Sequence, residues 1–310
     1  MATEKDTAIG DLEALNDVFS DIMNVLMFKG ERYVGENDLE QGREKSSYDS
    51  DSAVRLRPQY RDIHKFWKNC EVRIAYVGME NETEPEDDMP LRTIGYDGAA
   101  YRDQISYYTD KEGKRHKSKE RYPVITLVLY MGYKRRWDKA KSIYEALGDR
   151  LDDRLKPFVQ DYRINLFEIA FLEEEDVELF QSDFRIVADY LVQMRKNNDY
   201  QPTPFQIKHI REVLNTMAVL TQDTRFEEVY TEAEKGDEPK TMSEVLDRVE
   251  KRGEKRGEER GRKAGQMEIT KLMNFLLTNG RSEDAIRATN DESFLNKLLV
   301  DFNSGLMAAK

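Results

Sequence analysis

The sequence predicts a mixed α/β core over residues 1–175, followed by an all-helical C-terminal region. Three observations carry that reading. The apolar run Tyr122 to Met131 is rich in branched side chains and is bounded by a basic stretch and by Gly132, the pattern of a strand buried on both faces. Segments with apolar residues three and four apart stand on both sides of it, the pattern of amphipathic helices. Beyond about Glu173 the strand patterns cease and only helical ones remain.

From Leu12 to Phe28 the positions Leu12, Leu15, Val18, Phe19, Ile22, Met23 and Leu26 repeat at helical spacing, and Gly30 ends the helix. Residues 36–58, rich in Glu, Ser and Asp, read as a loop or a poorly ordered excursion. Tyr60 to Trp67 and Glu71 to Glu82 are two strand patterns, and Lys68-Asn69-Cys70 between them suits a hairpin turn. Side chains alternate along a strand, so Val72, Ile74, Tyr76, Gly78, Glu80 and Glu82 share one face, which begins apolar and ends in carboxylates. Met89 to Tyr108 fits a helix and precedes the buried strand. A helix over Trp137 to Leu147 and a strand over Arg163 to Phe171 complete the α/β unit.

Helices over Val177 to Lys196 and Pro204 to Leu220 form a helical extension, residues 176–235, and Glu234 to Lys240, with Gly236 and Pro239, reads as a linker. In the last segment, 236–310, Gly253, Gly257, Gly261 and Gly265 recur every four residues among Lys, Arg and Glu, and short helices near Glu268 to Thr278 and Ser282 to Phe302 close the chain. Each Gly costs a helix about 1 kcal/mol relative to Ala. The stripe therefore reads as a close contact between copies of the chain, as a phosphate-contacting basic arm, or as a charged tether. Self-association or tethering is the favoured reading, giving a homo-oligomer through this segment.

Composition narrows the chemistry. Hydrophobic residues make up 39% of the chain and charged residues 35%, and no apolar run approaches the ~20 residues of a spanning helix. Met1 to Leu15 carries Glu4, Asp6, Asp11 and Glu13 and lacks the apolar segment of a signal peptide, so a cytoplasmic protein with no membrane partner is expected. Cys70 is the sole cysteine, which excludes an internal disulfide and a multi-cysteine zinc site, and it is too isolated to be read as a nucleophile. His64, His116 and His209 are scattered, which leaves little for a histidine-rich metal site or a Ser-His-Asp triad. Chemistry is therefore expected from carboxylates. The net charge of −12 argues against a uniformly basic nucleic-acid coat while allowing local basic patches.

Asp62 falls near the start of the first hairpin strand and Glu80 near the end of the second, so an antiparallel pair can set them side by side. Two strand-borne carboxylates at one sheet end suit an oxygen-liking ion such as Mg²⁺ or Mn²⁺, with Asp21 offering a third oxygen. Such an ion would activate water and neutralise charge on a scissile phosphate, which makes phosphodiester hydrolysis the natural reaction. The plainer alternative is a pair of surface carboxylates, with Glu84, Glu86, Asp87 and Asp88 forming a solvated acidic loop. Two basic segments, Lys111 to Arg121 with Lys114, Arg115 and Lys117, and Lys134 to Lys141 with Arg135 and Arg136, flank the buried strand. They read either as phosphate contacts for DNA or as exposed loops that balance an acidic protein. His64 reads as structural, and Tyr133 and Trp137 serve equally to anchor the following segment or to stack on bases.

Taken in order, Phe19-Ser20-Asp21-Ile22-Met23-Asn24, Leu26-Met27-Phe28-Lys29-Gly30, Arg61-Asp62, Met79-Glu80-Asn81-Glu82-Thr83-Glu84, Met89-Pro90-Leu91-Arg92 with Tyr96-Asp97, and Pro123-Val124-Ile125 through Leu129-Tyr130-Met131-Gly132 resemble the successive blocks of the PD-(D/E)XK nuclease family of Rpn-type recombination-promoting nucleases and transposases. The glycine-every-four tail is similar as well. The resemblance spans most of the chain and implies a restriction-endonuclease-like core, a mixed sheet flanked by helices. It also implies Mg²⁺-dependent endonucleolytic cleavage of DNA linked to recombination, transposition or defence, with Asp62 and Glu80 as paired metal ligands. Gln104 and Tyr108, four apart on the predicted helix, are reminiscent of a Gln/Tyr pair that some nucleases of this fold hold near the site; helix-surface packing is the plainer account. The family fold usually carries Lys two residues after the Glu, and Rpn-type members commonly Gln, where this chain has Glu82. Either Glu82 is a further acid around the metal, with Lys65 or Arg92 supplying the positive charge, or this copy is a catalytically degenerate DNA-binding or protein-interaction module.

Overall fold

The computed structural model describes residues 4–42, 63–69, 72–223, 225–233 and 239–304. Two compact units divide the chain, Met1–Val245 and Leu246–Lys310.

The first unit opens with two helices, α1 (Glu4–Glu13) and α2 (Asn16–Phe28), where one was expected over Leu12 to Phe28. Leu15 breaks the helix with an extended backbone. The break meets a need of the sheet: the ammonium of Lys65, almost fully buried, donates to the Ala14 carbonyl at 2.5 Å and to the Asn16 side chain. Lys29 and Gly30 close α2 at φ 53° and 87°, and a Cβ on Gly30 would lie 3.0 Å from Leu179, so glycine is required there. A one-turn 3-10 helix at Glu36–Asp38 and a short edge strand β1 (Leu39–Gln41) occupy the start of the span read as a loop. The rest of that span, 43–58, lies outside the described residues, as do Tyr60, Arg61 and Asp62.

The expected hairpin is formed by β2 (Ile63–Asn69) and β3 (Val72–Glu82), paired antiparallel from Ile63↔Met79 to Asn69↔Val72. After α3 (Met89–Asp103) comes a separate two-stranded ribbon, β4 (Tyr107–Thr109) and β5 (Arg115–Lys117). Then β6 (Val124–Tyr130) enters the main sheet parallel to β3, and β7 (Asn165–Glu168) parallel to β6, giving the order β1-β2-β3-β6-β7. The result is a five-stranded mixed sheet flanked by helices, in which β3–α3–β6 is a parallel crossover unit.

Several boundaries depart from expectation for local reasons. The helix read through Tyr108 ends at Asp103, so Gln104 and Tyr108 are not a helical pair. Residues 137–142 are not helical: the Trp137 ring packs edge-on against Tyr130 and its backbone N–H donates to Glu168 at 2.8 Å. Only α4 (Ile143–Leu147) follows, capped by Ser142. The strand expected to Phe171 stops at Glu168 and turns into a 3-10 helix, Ile169–Phe171. The helix expected over Val177 to Lys196 is split into α5 (Glu174–Glu178) and α6 (Phe184–Asn197), because the N–H groups of Gln181 and Ser182 turn to the Asp21 carboxylate at 2.8 and 2.7 Å. Next, α7 (Ile210–Thr221) starts six residues after Pro204, the Lys208 and His209 N–H groups being held by Asp183. Helix α8 (Arg225–Ala233) follows. These helices pack into the core, α1 on α7 and α6 on the turn after β7, so 1–175 and the extension 176–235 share one compact unit.

One continuous helix, α9 (Met242–Thr278), carries the glycine stripe, and the short helix expected over Glu268 to Thr278 is its C-terminal part. In the second unit its end packs with α10 (Ser282–Asn290) and α11 (Glu292–Asn303) around Leu272, Leu276, Ala285, Ala288 and Leu298. The single helix expected over Ser282 to Phe302 is broken at Asp291, whose side chain caps α11 through the Phe294 N–H at 3.0 Å. No helix among the described residues is long and apolar enough to cross a membrane.

The buried Lys65 sets a pH dependence. Burial pulls its ammonium down to about 8 from the ordinary 10.5, against the opposing charge of Asp17. Between those values the folded lysine has lost the proton that the unfolded chain retains, so folding stability rises with pH, by up to about 3 kcal/mol. Urea unfolding of the wild type and Lys65→Met at pH 8 and 10 is expected to show this rise only in the wild type; equal slopes in both would refute it.

Candidate functional site

Strands β3 and β6 run parallel with their C-terminal ends together, Glu80 beside Val128 and Glu82 beside Tyr130. The ladder continues one bond further, from the Met131 N–H to the Glu82 carbonyl at 2.7 Å. Strand alternation divides the side chains between two faces. Val77, Met79 and Asn81 face the α1 side, where Asn81 donates to Glu13 at 2.7 Å. Glu80 and Glu82 face α3, as does Thr126 of β6, which donates to Asp97 of α3 at 2.7 Å.

Helix α3 begins with Met89 and Pro90, proline at its first turn lacking only an N–H that a helix start leaves unpaired. Three residues on, Arg92 turns its guanidinium to the sheet end. Its Nη2 lies 3.4 Å from Glu80, and its Nη1 lies 2.7 Å from Glu82 and 2.5 Å from Glu86. Glu80 is 0% exposed, whereas the Arg92 side chain is 37% exposed and opens the cluster to solvent. Burial works against the Arg92 charge, but hydrogen bonds to Tyr96 and Glu86 and the charge of Glu82 more than offset it, so the group titrates above its ordinary range. Three carboxylates thus converge on one permanent cation. Their donors are all hard oxygens, the type that Mg²⁺ and Mn²⁺ prefer. Among the described residues, no three acidic, histidine or cysteine side chains stand close enough together to hold a metal ion by themselves.

The other predicted site residues are distributed as follows. Asp62 lies outside the described residues. Asp21 is not a third acid beside Glu80: it is a buried residue of α2, paired with Arg32, and accepts the Gln181 and Ser182 N–H groups. It lines a polar cavity of about 320 Å³ with Asp17, Asn24, Arg32, Asp183 and Lys208. Lys65 does not supply charge to Glu80 either. It sits across from Val77, on the α1 face, and its bonds go to Ala14 and Asn16. Of the two cations considered, Arg92 alone reaches the carboxylates. Arg73 on β3 stacks on Phe66 with its guanidinium 4.0 Å from the ring centre.

Gln104 is a structural clasp. Its amide donates to the Tyr122 carbonyl and accepts from the Tyr122 N–H, both at 3.0 Å, tying the end of α3 to the entry of β6. The two basic segments part company. After β6, Arg135 pairs with Glu84 at 3.1 Å, Arg136 with Glu168 at 3.3 Å and Lys139 with Asp87 at 2.9 Å, so this segment, which also holds the exposed Lys134, largely balances the acidic loop. Lys114, Arg115 and Lys117 stand on the β4–β5 ribbon instead. Glu86 and the strand character of Tyr107 to Lys117 are what sequence reasoning missed. Tyr-Tyr-Thr and Arg-His-Lys on either side of a Glu112-Gly113 turn were the available signal. Comparison of the chain with protein-family models, curated proteins and solved structures finds no match.

Proposed function

We propose that the protein is a metal-dependent DNA endonuclease of the PD-(D/E)XK class, acting in the cytoplasm in recombination, transposition or defence as the resemblance to Rpn-type nucleases implies. The observation that supports it best is the convergence of Glu80, Glu82 and Glu86 on Arg92 at the carboxyl ends of two parallel strands, where open α/β sheets form their ligand crevices. Glu80 and Glu82 would hold Mg²⁺ or Mn²⁺ together with Asp62, which immediately precedes Ile63 in the sequence. When bound, the ion would activate the attacking water and neutralise charge on the phosphate. With the carboxylates turned to a bound ion, Arg92 would meet the difficulty posed by Glu82: a carboxylate at that position cannot offset phosphate charge, whereas a guanidinium beside it can, through a fork that matches phosphate oxygens.

The test is nicking of supercoiled plasmid by purified protein. Nicking with Mg²⁺ or Mn²⁺ and none with EDTA is the expected result. Inertness with both ions would reject the enzyme. The complete burial of Glu80, already compensated by Arg92, favours a second reading, a catalytically silent DNA-binding module. It predicts DNA binding with no nicking under either ion.

A further inference from the structure

We infer that the β4–β5 ribbon is a grip for duplex DNA, held apart from the carboxylate site at the opposite end of β6. For its ligand class the inference rests on the DNA reading above. Lys111, Lys114, Arg115, Lys117, Lys119 and Arg121 crowd eleven residues with only Glu112 and Glu120 against them, in a chain of net charge −12. All six are exposed, and none forms an ion pair among the described residues. In the basic segment after β6, by contrast, Arg135, Arg136 and Lys139 are paired with Glu84, Glu168 and Asp87. Cations left unpaired on an acidic protein are set for a polyanion from outside.

The ribbon is built to be rigid without a core. Asp110 accepts the Glu112 and Lys114 N–H groups across the turn and pairs with His116 at 2.5 Å. That contact is the largest influence holding the Asp110 carboxyl below its ordinary range. His116 stacks on Tyr108 at 5.4 Å, and Arg115 lies 4.3 Å over Tyr107. At the base, Ser118 N–H donates to Ser106, Arg121 donates to the Gln104 carbonyl, and the Gln104 clasp closes on Tyr122. Yet Tyr107 and Tyr108 stay 54% and 58% exposed, so the network buries little and serves shape. Tyr107, Thr109, Arg115 and Lys117 share one face by register. A pre-ordered two-stranded ribbon of this kind is narrow enough to enter the ~12 Å major groove of B-DNA. From Val124 at its base to Tyr130 beside Glu82, β6 spans ~20 Å, so grip and carboxylates would contact separate stretches of backbone.

The experiment is fluorescence anisotropy of the full chain with a labelled duplex of about 20 base pairs, in EDTA, over roughly 50 to 200 mM salt. The triple variant Lys114→Ser, Arg115→Ser, Lys117→Ser is expected to bind at least about tenfold more weakly, and its log–log salt slope to fall by about 2.7, near 0.9 for each lost phosphate contact. Arg135→Ser with Arg136→Ser should leave both quantities within about twofold of wild type. Unchanged affinity and slope in the triple variant, tighter binding of a single strand of equal length, or no duplex binding by the wild type would each overturn the inference. Thermal melts show whether the triple variant is folded; its substituted side chains are all exposed. The two proposals fail separately. Ribbon-dependent binding without nicking removes the nuclease and keeps the grip, whereas metal-dependent nicking with the triple variant binding like wild type does the reverse.

Discussion

Exchanging Glu80 for Gln is expected to lower metal-dependent nicking by about a hundred- to a thousandfold, the loss of several kcal/mol of metal-borne charge stabilisation. Gln keeps the shape of the buried side chain, and its amide oxygen can still accept from Arg92, so the fold should survive while the charge that would hold the ion is gone. The contrast is Glu86→Gln. Glu86 touches the same guanidinium but is 40% exposed, and a screened surface pair contributes little, so this variant should remain within a few-fold of wild type. Nicking time courses at saturating Mg²⁺, beside thermal melts of all three proteins, make the comparison. A folded Glu80→Gln protein with wild-type activity would remove Glu80 from the site.

Arg92→Met is expected to show the largest loss of stability, about 3 kcal/mol. Breaking a buried ion pair from one side leaves an uncompensated charge and typically costs about 3–5 kcal/mol; partial exposure of Arg92 sets the estimate at the low end. In the Glu80→Gln background the same exchange should cost distinctly less, because the buried group is then neutral. Urea midpoints of the four proteins give the coupling directly. Equal losses in both backgrounds would mean that Arg92 acts through Glu82 and Glu86 alone. Arg92→Lys should recover little, since an ammonium cannot fork across two carboxylates on adjacent positions of one strand face.

How much of this was legible depended on whether a segment's neighbours agreed with its own pattern. The β2–β3 hairpin and β6 were legible because alternation and branched residues match a sheet packed on both faces. Lys65 was read as a cation for the carboxylate site, although alternation held the contrary signal: its side chain points opposite to that of His64, hence to the α1 face. The guanidinium of Arg92 was one of two candidate cations, and only the placement of α3 over the sheet end selects it. Long-range partners hid the rest. Asp21 reads as a free acid in sequence, yet its carboxylate is held by backbone groups 160 and 161 residues away. Trp137 fits a helix by periodicity, but Tyr130 and Glu168 hold it in a loop. The ribbon was obscured by a helical pattern carried five residues past Asp103.

Those distant partners bear on how the protein is made. Thr216 on α7 donates to the Ala8 carbonyl of α1 across 208 residues, and Lys208 reaches Asp17 across 191. A ribosome adding about 5–20 residues per second needs roughly 10–40 s to make the chain between such partners. Throughout that interval α1, whose Ile9 and Leu12 end fully buried, exists without the helix it packs on. The nascent chain therefore carries an unfinished apolar surface until translation has passed α7, and slowing elongation there would prolong its exposure.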